Sequence, residues 1–249
     1  MDEHATLTLI ERQIVRMGRT LAVVCNLKAS CDYVVFSPLL TGQVGKSFAA
    51  HAFNPLQVVL IESVLLRVIS LWDEPLDKDV EHSNTFPAAA KLLARDDLQR
   101  VILKRCKARI LSGDVVNLNL TPDGLETLRV SASVEACTHY RREIYSILEE
   151  IEAVSKGAAY SNLKNHRSKH IAHSLERTRT DVRRERDSMQ ALPQPKFNEL
   201  DEIVECSLKL HARLQSAVTG AYEDWSVWID QCKRNARYLW EGMKIAPLA

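Results

Sequence analysis

The sequence is short of chain breakers: glycine and proline number eight each in 249 residues, about 3% apiece against typical values of roughly 7% and 5%. Long uninterrupted elements follow from that scarcity. An excess of one charge is also missing, with 33 Lys+Arg against 32 Asp+Glu, which argues against nucleic-acid binding over the whole surface and requires any basic site to be local. The six cysteines, at 25, 31, 106, 137, 206 and 232, include no Cys-x-x-Cys pair and mostly fall within apolar stretches. They read as buried, reduced thiols in a reducing compartment. Met1-Asp2-Glu3-His4 lacks the basic start and apolar run of a signal peptide, and the most apolar stretch, Val58 to Trp72, is interrupted by Glu62, Ser63, Arg67 and Ser70. A soluble, cytoplasmic protein with no membrane association is expected. The apolar fraction of 46% and charged fraction of 26% are globular averages, and the length suffices for a sizeable core without staples.

What is present is helical periodicity. Leu7, Ile10, Ile14, Met17, Leu21 and Val24 recur at steps of three and four and put one apolar stripe on a first long helix. Residues 36 to 54 hold Pro38, Gly42 and Gly45 and read as a connection, part of it helical. Asn54-Pro55 is the pattern of an N-cap followed by proline in the first turn. The helix it predicts, 55 to 72, is apolar except for one arc of about 140° at 100° per residue, and is expected to be the most buried. Asp73 to Pro87 reads as a long loop, Ala88 to Leu111 as helix with a break at Asp96-Asp97, and Ser112 to Asn119 as the one β-like stretch.

Thr121-Pro122 is a second N-cap signature. Behind it Val130, Ser133, Cys137, Tyr140, Ile144, Ile147, Ile151 and Val154 form a seam for antiparallel helix packing. Asp187 to Lys196, with Pro193 and Pro195, reads as a mobile loop. One helix then runs from Asn198 to Val218 through Leu200, Val204, Ser207, His211 and Leu214, and a last one through Tyr222, Trp225, Ile229, Cys232, Ala236, Leu239 and Met243. With no repeat and no alternation strong enough for a sheet, the expected fold is all-α, a bundle of long antiparallel helices.

Three lesser features carry no chemistry. Gly42-Gln43-Val44-Gly45-Lys46-Ser47 imitates the end of a phosphate-binding loop but has two residues between the glycines where wrapping a phosphate takes four, and no buried strand precedes it. The acidic pairs Asp96-Asp97 and Glu149-Glu150 read as solvated helix surface. His211, within its seam, reads as a core histidine with one satisfied hydrogen bond rather than a ligand.

Positive charge is concentrated in one place. From Lys164 to Arg186 there are eight Lys/Arg and three acids, 8 − 3 = +5, so the rest of the chain sums to −4. The segment opens Lys164-Asn165-His166-Arg167-Ser168-Lys169-His170-Ile171-Ala172-His173 and holds three of the eight histidines. On an α-helix His166, His170 and His173 would share a face, a geometry open to zinc or nickel. No carboxylate or thiolate joins them at helical spacing, and Lys164, Arg167 and Lys169 disfavour a divalent cation, so no metal and no cofactor is expected. Metal-free RNA cleavage, in which a ribose 2′-OH attacks the adjacent phosphorus, needs a base, an acid and a fixed cation on the phosphorane oxygens. Histidine titrates near neutral pH and arginine offers a permanent charge with a planar donor fork, so Arg167 and His173 supply one of each kind.

Arg167 and His173, with five residues between them, also resemble the signature of the HEPN superfamily, an arginine, four to six residues and then a histidine. Arg167-Ser168-Lys169-His170-Ile171-Ala172-His173 resembles the Arg-x-Lys-x-x-Ala-His phrase of its abortive-infection branch. Ser70-Leu71-Trp72-Asp73 and Ser83-Asn84-Thr85-Phe86 resemble the same branch, so the likeness spans roughly residues 5 to 215, while the last helix, with Trp225, Trp228 and Trp240, carries no motif that matches it.

The resemblance implies a single HEPN-like domain over residues 1–249, with a core at about 5–218 and an added C-terminal helix at about 221–244. It further implies that the Arg/His segments of two chains meet across a homodimer to make a composite ribonuclease site. In that site Arg167 and His173 are the catalytic pair, Ser168 and His170 support them, and Lys164 and Lys169 contact RNA. An antitoxin or nucleotidyltransferase partner belongs to the same picture. Family members often carry Asn, Asp or His directly after the arginine, and Ser168 departs from that pattern. The alternative implied by the fold is a non-catalytic module that binds RNA, nucleotide or a partner protein.

Overall fold

The computed structural model describes residues 3–44, 50–112, 122–172, 184 and 196–243. Among the described residues there are nine α-helices and no strand. In chain order they are α1 (Glu3–Phe36), α2 (Pro38–Val44), α3 (Ala50–Ser70), α4 (Phe86–Leu93), α5 (Asp96–Ser112), α6 (Pro122–Lys156), α7 (Ala158–His166), α8 (Phe197–Thr219) and α9 (Trp225–Gly242). A 3₁₀ turn at Asp77–Asp79 lies in the loop before α4, and a π-helical segment, Arg167–Ala172, continues α7. The all-α fold is as expected. The β-like stretch falls on 113–119 and the proline-rich loop on 187–195, both outside the described residues.

Two compact units divide the chain. The first comprises Met1–Met17, Asp73–Ala153 and Lys209–Glu223. Its core is built from the α1 stripe residues Ile10, Ile14 and Met17, from Phe86, Leu93, Leu98 and Ile102, from Ile144 and Ile147, and from Leu214. Thr85 starts α4 as its N-cap, its hydroxyl accepting from the Ala88 N–H at 3.2 Å. Helix α5 begins at Asp96, after a break at residues 94–95. Gln13 donates to the Val80 carbonyl at 2.8 Å and fastens the loop to α1.

On α8, His211 is 1% exposed, with Nε2 3.0 Å from the Ile14 carbonyl. A carbonyl only accepts, so Nε2 carries the proton. Burial lowers the histidine's pKa below its ordinary 6.5, which keeps the ring neutral in its core role. Arg213, two residues on, reaches Glu143 at 2.6 Å, Glu150 and the Ser146 hydroxyl. Glu150 is therefore a bridging carboxylate, also 3.8 Å from Lys209, rather than part of a solvated face; the sequence pattern shows the acid but not the arginine that approaches from another helix. Helix α8 ends at Gly220, whose φ of 75° is the left-handed conformation glycine adopts without penalty.

The second unit comprises Gly18–Trp72, Val154–Leu208 and Asp224–Ala249. Here α3 departs from expectation twice. It starts at Ala50, so Asn54 is no N-cap and Pro55 lies inside the helix. Residues 50–54 extend it by more than one turn, and the N–H that Pro55 lacks removes a single bond near the helix start. Nor is α3 the most buried helix: Val64, Leu65, Val68 and Ile69 are buried, but Val58 and Val59 are 52% and 55% exposed. Helix α9 also shifts its stripe, burying Trp225, Cys232, Ala236 and Trp240 while Tyr222, Leu239 and Met243 are exposed. At 100° per residue Trp240 and Leu239 fall on opposite flanks of that stripe, and the larger Trp240 ring takes the inward position.

Candidate functional site

The Arg/His segment starts where α6 stops. Gly157 interrupts the helix and, in extended conformation (φ −68°, ψ 153°), becomes the N-cap residue of α7. Tyr160, Asn162 and Leu163 face inward, and α7 packs on α3.

Two of those residues fix the orientation of α7. The Tyr160 hydroxyl donates to the Trp72 carbonyl at 2.8 Å. The Trp72 indole Nε1–H in turn donates to the Ser207 hydroxyl at 2.9 Å, and that hydroxyl donates to the Ile203 carbonyl at 2.6 Å. Trp72, Tyr160 and Ser207 are all buried, so this chain of hydrogen bonds satisfies polar groups that water does not reach. Asn162 donates to Glu199 Oε1 at 2.8 Å while Glu199 Oε2 accepts the Lys196 N–H at 2.9 Å, tying α7 to the first turn of α8.

One turn further on, the helix widens. The Arg167 N–H is shared between the Leu163 and Lys164 carbonyls, and Arg167–Ala172 winds as a π-helix, with i→i+5 hydrogen bonds in place of i→i+4. Such segments are rare and recur at functional sites. They also change register, so the α-helical spacing that would align His166 with His170 does not hold from Arg167 onward. The π-helical segment packs against α3.

Of the residues singled out from the sequence, Lys164, Arg167, Ser168 and Lys169 are all half-buried on this short stretch. Lys164 Nζ lies 5.2 Å from the centroid of the Tyr160 ring, a cation–π contact that holds the ammonium beside α7. His170 lies within the π-helical segment, and His173 lies outside the described residues. Gly42 to Val44 of the phosphate-loop lookalike form the end of α2, and the rest of that motif is outside the described residues. No group of three or more His, Cys, Asp or Glu suited to a metal occurs among the described residues.

An all-α chain with arginine at the head of a π-helical turn, and Trp72 and Thr85 at the expected helix boundaries, matches the profile of the HEPN family AbiU2 over residues 7–239. The chain belongs to the AbiU2 family of HEPN proteins. The match takes in nearly all of the chain, and the abortive-infection resemblance of the Arg167 segment is thereby borne out at the level of family. No curated protein and no solved structure matches the chain. The match extends to residue 239 and so includes most of α9, which shows no likeness by motif alone.

Sequence reading missed Tyr160, Asn162 and Ser207, the side chains that mount the AbiU2 signature segment. Their signal is faint: Tyr160 and Lys164 stand four apart on one helix, but nothing in the sequence connects either to Trp72, 88 positions upstream, or to Ser207.

Proposed function

We propose that this AbiU2-family protein is a metal-independent endoribonuclease of abortive-infection or toxin type, acting in the cytoplasm on RNA at a composite site formed by two copies of the chain. The observation that carries the reading is the position of Arg167. It opens a π-helical turn, anchored from behind by Tyr160 and Trp72, in the most basic stretch of the sequence. In the proposed reaction His173 transfers the proton, and Arg167 offsets charge on the phosphorane. Ser168 orients Arg167, and Lys164, Lys169 and His170 contact RNA phosphates. One chain supplies one such pair while the reaction uses both an acid and a base, so a homodimer supplies the second. An antitoxin or nucleotidyltransferase would be the partner that restrains it. The competing reading, a module that binds RNA, nucleotide or protein without cleaving, draws support from Ser168, which departs from the residues the family often carries there.

The deciding experiment is cleavage of a mixed-sequence RNA in EDTA. The proposal expects undiminished cleavage, products ending in 2′,3′-cyclic phosphate, and a loss of about 10²- to 10⁴-fold in rate for His173→Ala with unchanged RNA affinity and melting temperature. Arg167→Lys keeps the charge, loses the planar fork and is also expected to impair turnover. RNA binding without cleavage would support the module instead, and cleavage lost in EDTA and restored by zinc would overturn the mechanism.

A further inference from the structure

Away from the Arg167 segment, two of the six cysteines stand against each other. On α5, Leu103, Cys106 and Arg109 follow at steps of three and share a face. Cys137, in the middle of α6, turns its Sγ toward that face, 3.7 Å from the Leu103 carbonyl oxygen. Leu103 lies one turn before Cys106 on that face, so the Cys137 thiol is a neighbour of Cys106, and the Arg109 guanidinium belongs to the same cluster. Cys106 is buried, whereas Cys137 is only half-buried, which makes Cys137 the more accessible residue of the pair.

We propose that Cys106 and Cys137 form a reversible disulfide, with hydrogen peroxide as oxidant, Cys137 as the thiol oxidised first and Cys106 as the resolving thiol. In the first step the Cys137 sulfur attacks a peroxide oxygen, the O–O bond breaks, and the thiol becomes a sulfenic acid as one water leaves. In the second, the Cys106 sulfur attacks the sulfenic sulfur, the S–S bond forms and the S–O bond breaks. The hydroxyl departs with the Cys106 proton as a second water. Two thiols and one peroxide thus give one disulfide and two waters, a two-electron exchange.

The order of events follows from the surroundings. Burial, more than its thiol neighbour, raises the pKa of Cys106 above its ordinary value, with Arg109 acting in the opposite direction, so Cys106 waits as a thiol until an electrophilic sulfur forms beside it. Cys25 and Cys232 are also neighbours, but both are buried, and burial pushes Cys25 up to about 12. That pair is expected to stay reduced and serves as the internal control.

The test uses the full-length reduced protein, treated with a few molar equivalents of hydrogen peroxide, then denatured in N-ethylmaleimide and weighed intact. The expected result is four alkylated thiols out of six, a mass lower by two hydrogens, and a peptide linking Cys106 to Cys137 that dithiothreitol separates. Closing the chain across the 30 residues from Lys107 to Ala136 limits the unfolded ensemble, so the oxidised protein should melt several degrees higher. Cys137→Ser should keep the wild-type helicity and lose the link. Six alkylated thiols, a link through Cys25 and Cys232, a disulfide between chains, or Cys137 driven to the sulfinic acid with no link would each overturn the proposal, and mapping on the wild type decides the matter even if a variant fails to fold.

Discussion

Helices α8 and α3 make an instructive pair. On α8 the stripe Leu200, Val204, Ser207, His211 and Leu214 is buried throughout, although two of its five members are polar. On α3 the sequence is more apolar, yet Val58, Val59 and Leu66 are exposed and the buried Val64, Leu65, Val68 and Ile69 all lie in the C-terminal half. Asymmetry around the helix, rather than hydrophobicity, is what marks a buried face: α8 has one apolar stripe bounded by charge, whereas α3 has apolar residues on nearly every side and no single face that its sequence designates as inward. The polar members of the α8 stripe are admissible because each has a partner. Ser207 receives the Trp72 indole N–H, and His211 donates to the Ile14 carbonyl.

If partners are what license the α8 stripe, removing them should hurt in proportion to what is left unsatisfied. The largest effect is expected at His211→Ala, which opens a cavity in the core and removes the ring's hydrogen bond to the Ile14 carbonyl, for a destabilisation of about 3 kcal/mol by denaturant unfolding. A loss below about 0.5 kcal/mol would mean that the stripe does not depend on its polar partner.

The same residue gives the comparison a pH axis. Because burial lowers the His211 pKa in the folded state, the unfolded chain binds the proton first as pH falls. Its contribution is thus fully present above about pH 6.5 and declines as pH drops through 6.5 toward the lowered folded value. The wild type should lose stability over that window, and His211→Gln should show a flatter profile.

Next in size is Ser207→Ala, which strands the Trp72 indole N–H in the core, for about 1–3 kcal/mol. Tyr160→Phe removes the hydroxyl that donates to the Trp72 carbonyl and should lower stability by about 1 kcal/mol. Because that hydroxyl anchors α7, amide exchange over Arg167–Ala172 should accelerate more than at the centre of α8.

On α3 the smallest effects are expected: Val58→Ser and Val59→Ser should fall within about 0.5 kcal/mol of wild type. A loss of 2 kcal/mol or more at either valine would show that the exposed half of α3 is covered in solution and would erase the contrast with α8.

Much of this architecture was legible in the sequence. The stripes of α1 and α8, the loop beginning at Asp73 and the break near Asp96 all follow from spacing and local chemistry within a few residues. The Arg167 segment stood out because charge and histidine are concentrated there and nowhere else. The start of α3 at Ala50 was hidden because Asn54-Pro55 is a valid cap signal that the preceding residues override by continuing the helix. The inward turn of Trp240 was hidden because neighbouring positions on a helix differ by 100°, and which large side chain faces in is settled by the surface it meets.

The sequence by itself thus determined the fold class, the course of the longest helices and the position of the signature arginine, because helical periodicity and capping act over three or four residues and are written in neighbouring letters. Tertiary structure alone decided that Glu150 bridges to Arg213, that Tyr160 holds α7 to the end of α3 through the Trp72 carbonyl, that Cys137 meets Cys106, and that the helix widens to π winding at Arg167. The first three depend on which surfaces are brought together by chain segments 30 to 90 residues apart, and the last on how α7 and its continuation seat against α3. No local rule carries that information, because the energy of each contact exists only once both partners are in place.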